Sequence, residues 1–195
     1  MQIISIRQQF IADHSSTNYF FYAARPLNRG TQAYVSTLSS HVDVGDRTAE
    51  ITYHGDFADL GEERRKKFLA HYDVEVRESY DWWSLSVMLD PERVAKVNLQ
   101  EHEAESESSL TFTRQGKRLC LCFDGWHLDA SAAYYRFGED LMEGLADLGL
   151  KLRAELHAGN TAALKVMQAY CSEGGIAEGA KSSVARTLAE ILEVI

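Results

Sequence analysis

Two stretches decide the fold: WSLSVML at residues 83–89 and SLTFTRQGKRLCLCFDG at residues 109–125. In the first, Trp83, Leu85, Val87 and Leu89 fall on one side of the chain and Ser84 and Ser86 on the other, the period of a β-strand. In the second, two alternating runs flank Gln115-Gly116, which predicts a β-hairpin with Leu119, Leu121 and Phe123 facing the core. Between the two stretches Asp90-Pro91 is placed to open a short helix, and EHEAESESS (101–109) reads as an acidic, mobile connection. Beyond the hairpin, Asp129 is a good cap for a helix carrying Tyr134, Phe137, Leu141, Leu145 and Leu148 at steps of three and four, with Gly149 as its stop. Its opposite face is polar, with Arg136, Glu139, Asp140, Glu143 and Asp147. KLRAELHA (151–158) alternates Leu152, Ala154 and Leu156 with charged residues and His157, so it predicts one more half-buried strand. The resulting order, strand, short helix, strand, strand, long helix, strand, is the βαββαβ order of a ferredoxin-like unit.

Upstream, TNYFFYAAR (17–25) is apolar on both alternating faces, as a central strand requires, and Pro26 ends it. A polar helix is expected over Leu27–Ser40, with Ala33, Tyr34 and Leu38 on one side. TAEITYHG (48–55) alternates, with Ala49, Ile51 and Tyr53 inward. LGEERRKKFLAHY (60–72) reads as a helix docked through its C-terminal half, and VEVRESY (74–80) as a strand. Strand, helix, strand, helix, strand is the same order with one strand missing or hidden in GDFADL (55–60). The sequence therefore predicts an α+β fold, a tandem ferredoxin-like repeat: one degenerate unit over 1–81, a second over 82–158, and a C-terminal helical tail over 159–195. In the tail, TAALKVMQAYC and SSVARTLAEILEVI are helix candidates around the glycine-rich SEGGIAEG. Each open sheet face needs cover, and small Ser84, Ser86, Cys120 and Cys122 would let the two units pack closely.

A net charge of −9, from 20 basic and 29 acidic residues, repels a phosphate backbone, so nucleic acid is not an expected partner. No apolar run reaches the roughly 18 residues of a membrane helix, and MQIISIRQQFIADH lacks a secretory signal's long apolar stretch. A cytoplasmic location is expected. Three cysteines, two of them on one side of a single strand, are too few for a disulfide framework and read as reduced thiols.

Residues Tyr19 to Leu89 carry Arg25-Pro26-Leu27, Leu38-Ser39-Ser40, Tyr53-His54-Gly55-Asp56-Phe57 and Tyr72-Asp73-Val74 ahead of the strand after Trp83. This half resembles a group of uncharacterised bacterial proteins with an RPL turn, an LSS helix end and a Y-x-W-G-D-F segment followed by two strands. His54 stands where that group has Trp, and SYDWW replaces an N-W-G-T turn. The resemblance supports the fold and implies no activity.

The constellations that could carry chemistry are few. FDGWHLD (123–129) brings Asp124, His127 and Asp129 to a strand end and helix start, a donor set suited to a divalent metal. Helix capping by Asp129 and an Asp124-Gly125 turn explain the same residues without a metal. His54 with Asp56 could serve as base and orienter, against a solvated histidine on the polar side of its strand. Cys120 and Cys122 point the same way but supply only half a zinc set. Arg64-Arg65-Lys66-Lys67 spreads around about 300° of a helix and makes no stripe. Tyr80, Trp82 and Trp83 sit at the unit boundary, where aromatics fill a junction and where ligand sites favour domain interfaces, so this is the expected ligand seam. No phosphate loop, nucleophile elbow or dinucleotide fingerprint is present. The expectation is a binding or interaction module without a cofactor, leaning away from an enzyme, whose partner is a protein or small ligand and which leaves room for a homodimer. The alternatives are a metal-dependent hydrolase using Asp124, His127 and Asp129, and RNA binding through an open ferredoxin-like sheet.

Overall fold

Tyr19 and Phe20 are adjacent in the chain, point to opposite sides of a sheet, and are both buried, at 1% and 6% exposure. Their strand must therefore lie between two apolar layers. The structure, a computed structural model, describes residues 16–54, 59–79, 82–138, 140–172 and 181–192. Its strands are β1 (Ser16–Tyr22), β2 (Val42–Val44), β3 (Thr48–His54), β4 (Val74–Ser79), β5 (Trp82–Leu89), β6 (Ala104–Glu105), β7 (Ser109–Gln115) and β8 (Arg118–Trp126). Its helices are α1 (Arg29–Ser36), α2 (Glu62–Leu69), α3 (Ala130–Phe137), α4 (Leu141–His157), α5 (Ala162–Cys171) and α6 (Ser183–Ile191), with a 3-10 turn over Leu99–His102. The strands form one eight-stranded sheet in the order β2-β3-β1-β4-β5-β8-β7-β6.

That sheet overturns the tandem ferredoxin-like repeat. The second half runs in the order β5-β8-β7-β6, with β6, β7 and β8 a plain antiparallel succession, and among the described residues no strand follows α4, so it is not a βαββαβ unit. The sheet also runs without a break through the expected seam, because β4 pairs with β5 from Val74↔Val87 to Ser79↔Trp82. In the second half, KLRAELHA is not a strand but the last turns of α4, which continues through Gly149. Leu152 and Leu156 are four apart as well as evenly spaced, so they extend the buried stripe of Leu141, Leu145 and Leu148 down one side of a helix. Gly149 is a packing residue: a Cβ there would come 2.7 Å from Val74 Cγ1. The chain instead breaks earlier, at Gly138 (φ +64°), which parts α3 from α4.

Smaller differences have local causes. Asp90-Pro91 starts a run of turns rather than a helix, with the Arg93 and Val94 amides donating to the Asp90 carbonyl. The acidic EHEAESESS is ordered rather than mobile: Ala104–Glu105 forms β6, and the Ser106 and Ser108 hydroxyls donate to the carbonyls of Cys171 and Gly125 at 2.7 Å. In α1 the buried residue is Val35, while Tyr34 is 45% exposed. The strand sought in GDFADL is β2, ahead of β3; residues 55–58 of that segment lie outside the described residues.

The sheet has two different sides. Phe20, Tyr22, Val76, Leu85, Val87, Leu121 and Phe123 face α4, α5 and α6 in the larger core. Tyr19, Phe21, Ala49 and Ile51 face the other way, against Val35 of α1 and Phe68 and Leu69 of α2. Fully burying one such side chain contributes about 1.5–3 kcal/mol, so Phe68 and Leu69 help to anchor the otherwise charged α2. Over β5, β8 and β7 this second side changes character, carrying Ser84, Ser86, Cys122, Asp124 and Thr111 in register. Among the described residues no helix is long and apolar enough to cross a membrane.

Candidate functional site

The helical side of the sheet holds a cleft of 660 Å³, bounded by Tyr22 of β1, the end of α3, the first half of α4 and the start of α6. Local sequence builds it. Gly138 takes a left-handed conformation that turns the chain from α3 back into α4, and Phe137 then lies over Gly144. A Cβ on Gly144 would come 2.4 Å from Phe137 Cδ1, so only glycine permits this approach. The opposing wall is the first part of α6, with Ser183, Val184 and Thr187, held by Ser182, whose hydroxyl accepts from the Ala185 amide at 3.0 Å.

Asp140, Glu143, Asp147 and Lys151 line the cleft from α4 at steps of three, four and four, which places them along one side of that helix. Lys151 Nζ is 2.6 Å from Asp147 Oδ2, and across the cleft Arg136 is ion-paired to Glu190. Asp140 and Glu143 have no side-chain hydrogen bond or ion pair among the described residues. Both stand at the start of α4, the positive end of the helix dipole. The field there is negative: burial, then Asp43, then Glu143 raise the carboxyl of Glu50 above its ordinary range. Tyr22 is 8% exposed, its ring carries the Arg47 guanidinium at 4.5 Å, and its hydroxyl makes no hydrogen bond to a described residue.

The residues singled out from sequence are scattered. Trp82 and Trp83 are adjacent in β5 and so part to opposite sides of the sheet. Trp83 is buried against Trp126, with ring centroids 6.0 Å apart, whereas Trp82 is 42% exposed and lies 4.0 Å from the His127 ring. Tyr80 and Asp56 lie outside the described residues. His54 is exposed, its Nδ1 3.1 Å from the Ser16 hydroxyl. Asp124, His127 and Asp129 do not converge: Asp124 accepts from the Ser84 hydroxyl, His127 sits on Trp82, and Asp129 caps α3 by accepting from the Ser131 amide at 2.8 Å. Among the described residues no group of three His, Cys, Asp or Glu could hold a metal ion.

Cys120 and Cys122 do share one side of β8, where burial pushes the Cys120 thiol up to about 12 and the Cys122 thiol up as well. Arg65, from the basic run, turns inward to a bidentate pair with buried Glu75 at 2.7 and 2.9 Å, while Lys66 stays outside with Glu62 and Glu63. Burial opposes the charge on Arg65, but Glu75 more than offsets it and raises the guanidinium's pKa.

The cleft residues were visible in the sequence only as a polar helix face. What turns that face into a wall is α6 opposite it, a tertiary placement that the spacing of Asp140, Glu143 and Asp147 does not encode. No family model, no curated protein and no solved structure matches the chain.

Proposed function

We propose that this protein is a non-catalytic binding module and that its ligand site is the cleft between α3, α4, α6 and Tyr22. The observation that carries the proposal is the cleft itself: 660 Å³ falls within the roughly 300–1,000 Å³ of small-molecule sites. Its lining suits binding and orientation. Phe137, Leu148 and Val184 supply apolar surface, Asp140 and Glu143 offer carboxylates that no described cation occupies, and Tyr22 supplies a hydroxyl. Of the aromatic seam's described residues, Trp83 is buried in the core and Trp82 reaches the surface.

A small-molecule screen against the full chain, read by thermal shift and by amide chemical shifts, tests this. A ligand at a hundred times its dissociation constant stabilises by about 2.7 kcal/mol, or about 5–10 °C in a chain of this size. Thr187→Trp fills the cleft from the α6 side, so hits should shift the wild type and leave the variant unmoved. Hits that perturb amides outside the cleft, or shift the Thr187→Trp protein equally, overturn the assignment.

A further inference from the structure

Granting that the cleft is the ligand site proposed above, its lining also selects the ligand by charge. Of five charged residues on the walls, the two cations are already committed, Lys151 to Asp147 and Arg136 to Glu190. Asp140 and Glu143 are left without a counter-charge among the described residues, and Glu50 adds to the same negative field, with Asp43 behind it. Arg47 is a further cation beside the cleft, over the Tyr22 ring at 4.5 Å with its Nε donating to the Ala23 carbonyl at 2.9 Å.

Tyr22 is the independent pointer to a ligand. The residue is more than nine-tenths buried and lines the cleft, and its hydroxyl, which has no hydrogen-bond partner among the described residues, keeps access to the cleft. A donor entering the cleft can therefore bond it without displacing an internal partner. The two open acids, Asp140 and Glu143, are about 4.5 Å apart along the rise of α4. Among the described residues no group of three His, Cys, Asp or Glu could hold a metal ion, whereas two neighbouring carboxylates suit the ammonium groups of a short aliphatic chain. Between the charges, the Phe137 ring, Leu148 and Val184 offer apolar contact for methylene groups.

We infer that the cleft binds a small aliphatic diamine or polyamine, with ammonium groups on Asp140 and Glu143, a hydrogen bond to the Tyr22 hydroxyl, and the methylene chain against Phe137. Charge-assisted hydrogen bonds of this kind are the stronger ones and weaken with salt where they remain open to water.

Titration calorimetry of the full chain with putrescine and spermidine, and with glutarate as the oppositely charged control of similar length, tests the inference. The amines should bind and glutarate should not, with affinity falling as salt is raised. Asp140→Asn with Glu143→Gln should weaken amine binding at least about tenfold. Tyr22→Phe should weaken it several-fold while leaving the unfolding midpoint unchanged, because the hydroxyl holds nothing in the free protein. Thr187→Trp should abolish binding. Amine binding that survives the double substitution overturns the inference, as does glutarate binding in preference to the amines. Screen hits blocked by Thr187→Trp but including no amine overturn the ligand class alone and leave the cleft as the site. If Thr187→Trp blocks no hit of any class, the cleft itself is wrong.

Discussion

Gly149, in the middle of α4, lies against Val74 of β4: a Cβ built on it would stand 2.7 Å from Val74 Cγ1 and 3.2 Å from Leu85 Cδ1. Two effects compete when it is replaced. Alanine is the better helix former by about 1 kcal/mol, but overpacking a filled core costs about 1–3 kcal/mol. Val74 is fully buried and β-branched, so it has little room to turn away. Crowding should therefore win. Gly149→Ala is expected to lose about 1–2 kcal/mol by urea unfolding and Gly149→Leu clearly more; a gain with alanine would show the contact to be looser than it stands.

Asp73 joins parts of the chain that are distant in sequence. Its carboxylate is 3.2 Å from Arg118 Nη1 and 3.4 Å from Arg153 Nη2, and it accepts from the Ala24 amide at 2.8 Å. Both arginines also bond carbonyls, Arg118 those of Leu69 and Tyr72 and Arg153 that of Met88, so they are held in place when the acid is removed. Asp73→Ala then leaves two fixed, partly buried cations facing each other and should cost about 2–4 kcal/mol. Lys66→Ala, which breaks two exposed ion pairs on α2, should cost far less than that. Similar losses in the two variants, measured side by side in urea, would count against the Asp73 clasp.

The sequence and the fold agree where a pattern admits one reading. TNYFFY is apolar on both faces, and β1 is indeed flanked by β3 and β4 with an apolar layer on each side. The hairpin is in place too, with Gln115 opposite Arg118 and the turn at Gly116-Lys117. They part where a pattern admits two. Leu152 and Leu156 fit a strand's alternation and a helix's fourth residue equally, and in the fold they continue the buried helical stripe of Leu141, Leu145 and Leu148. β2 has three residues, too short for any period. Trp82 and Trp83 look like one cluster in the chain, but strand geometry divides them. The site was the least legible part, because Tyr22, Asp140 and Thr187 meet only through the packing of α6.

The buried thiols carry a pH dependence. Burial pushes Cys120 up to about 12 and Cys171 up to about 11, and Tyr72 up to about 12. A free thiol ionises near about 8.5 and a free phenol near about 10. Groups raised by folding bind their protons more tightly in the native state, so the stability they reflect is complete below the unfolded values and is lost as pH climbs toward the folded ones. The unfolding free energy should fall progressively above about pH 9. A disulfide-exchange reagent at pH 8 should find no fast thiol at Cys120 or Cys171 in the native chain and all three cysteines in denaturant. Rapid native labelling at either site would contradict their burial.

On the acid side the matching group is His157, whose Nε2 accepts from the Asp90 amide at 3.1 Å. That bond requires the unprotonated nitrogen. Burial, then Arg153 and Arg93, lower the imidazole's pKa, and Asp90 and Asp73 oppose them more weakly. With its folded pKa below the unfolded value near about 6.5, His157 contributes stability that is complete above that value and is lost as pH falls below it. Carboxylates titrate in the lower part of the same range, so the wild type alone cannot isolate the histidine. His157→Gln can, because glutamine offers an acceptor without a charge change. The wild type should lose more stability between pH 7 and pH 5 than His157→Gln does, with the two close together at pH 7. His157→Ala should instead lose about 1 kcal/mol already at pH 7, from the Asp90 amide left without its acceptor. If wild type and His157→Gln fall in parallel from pH 7 to pH 5, protonation of His157 plays no part in the acid limb.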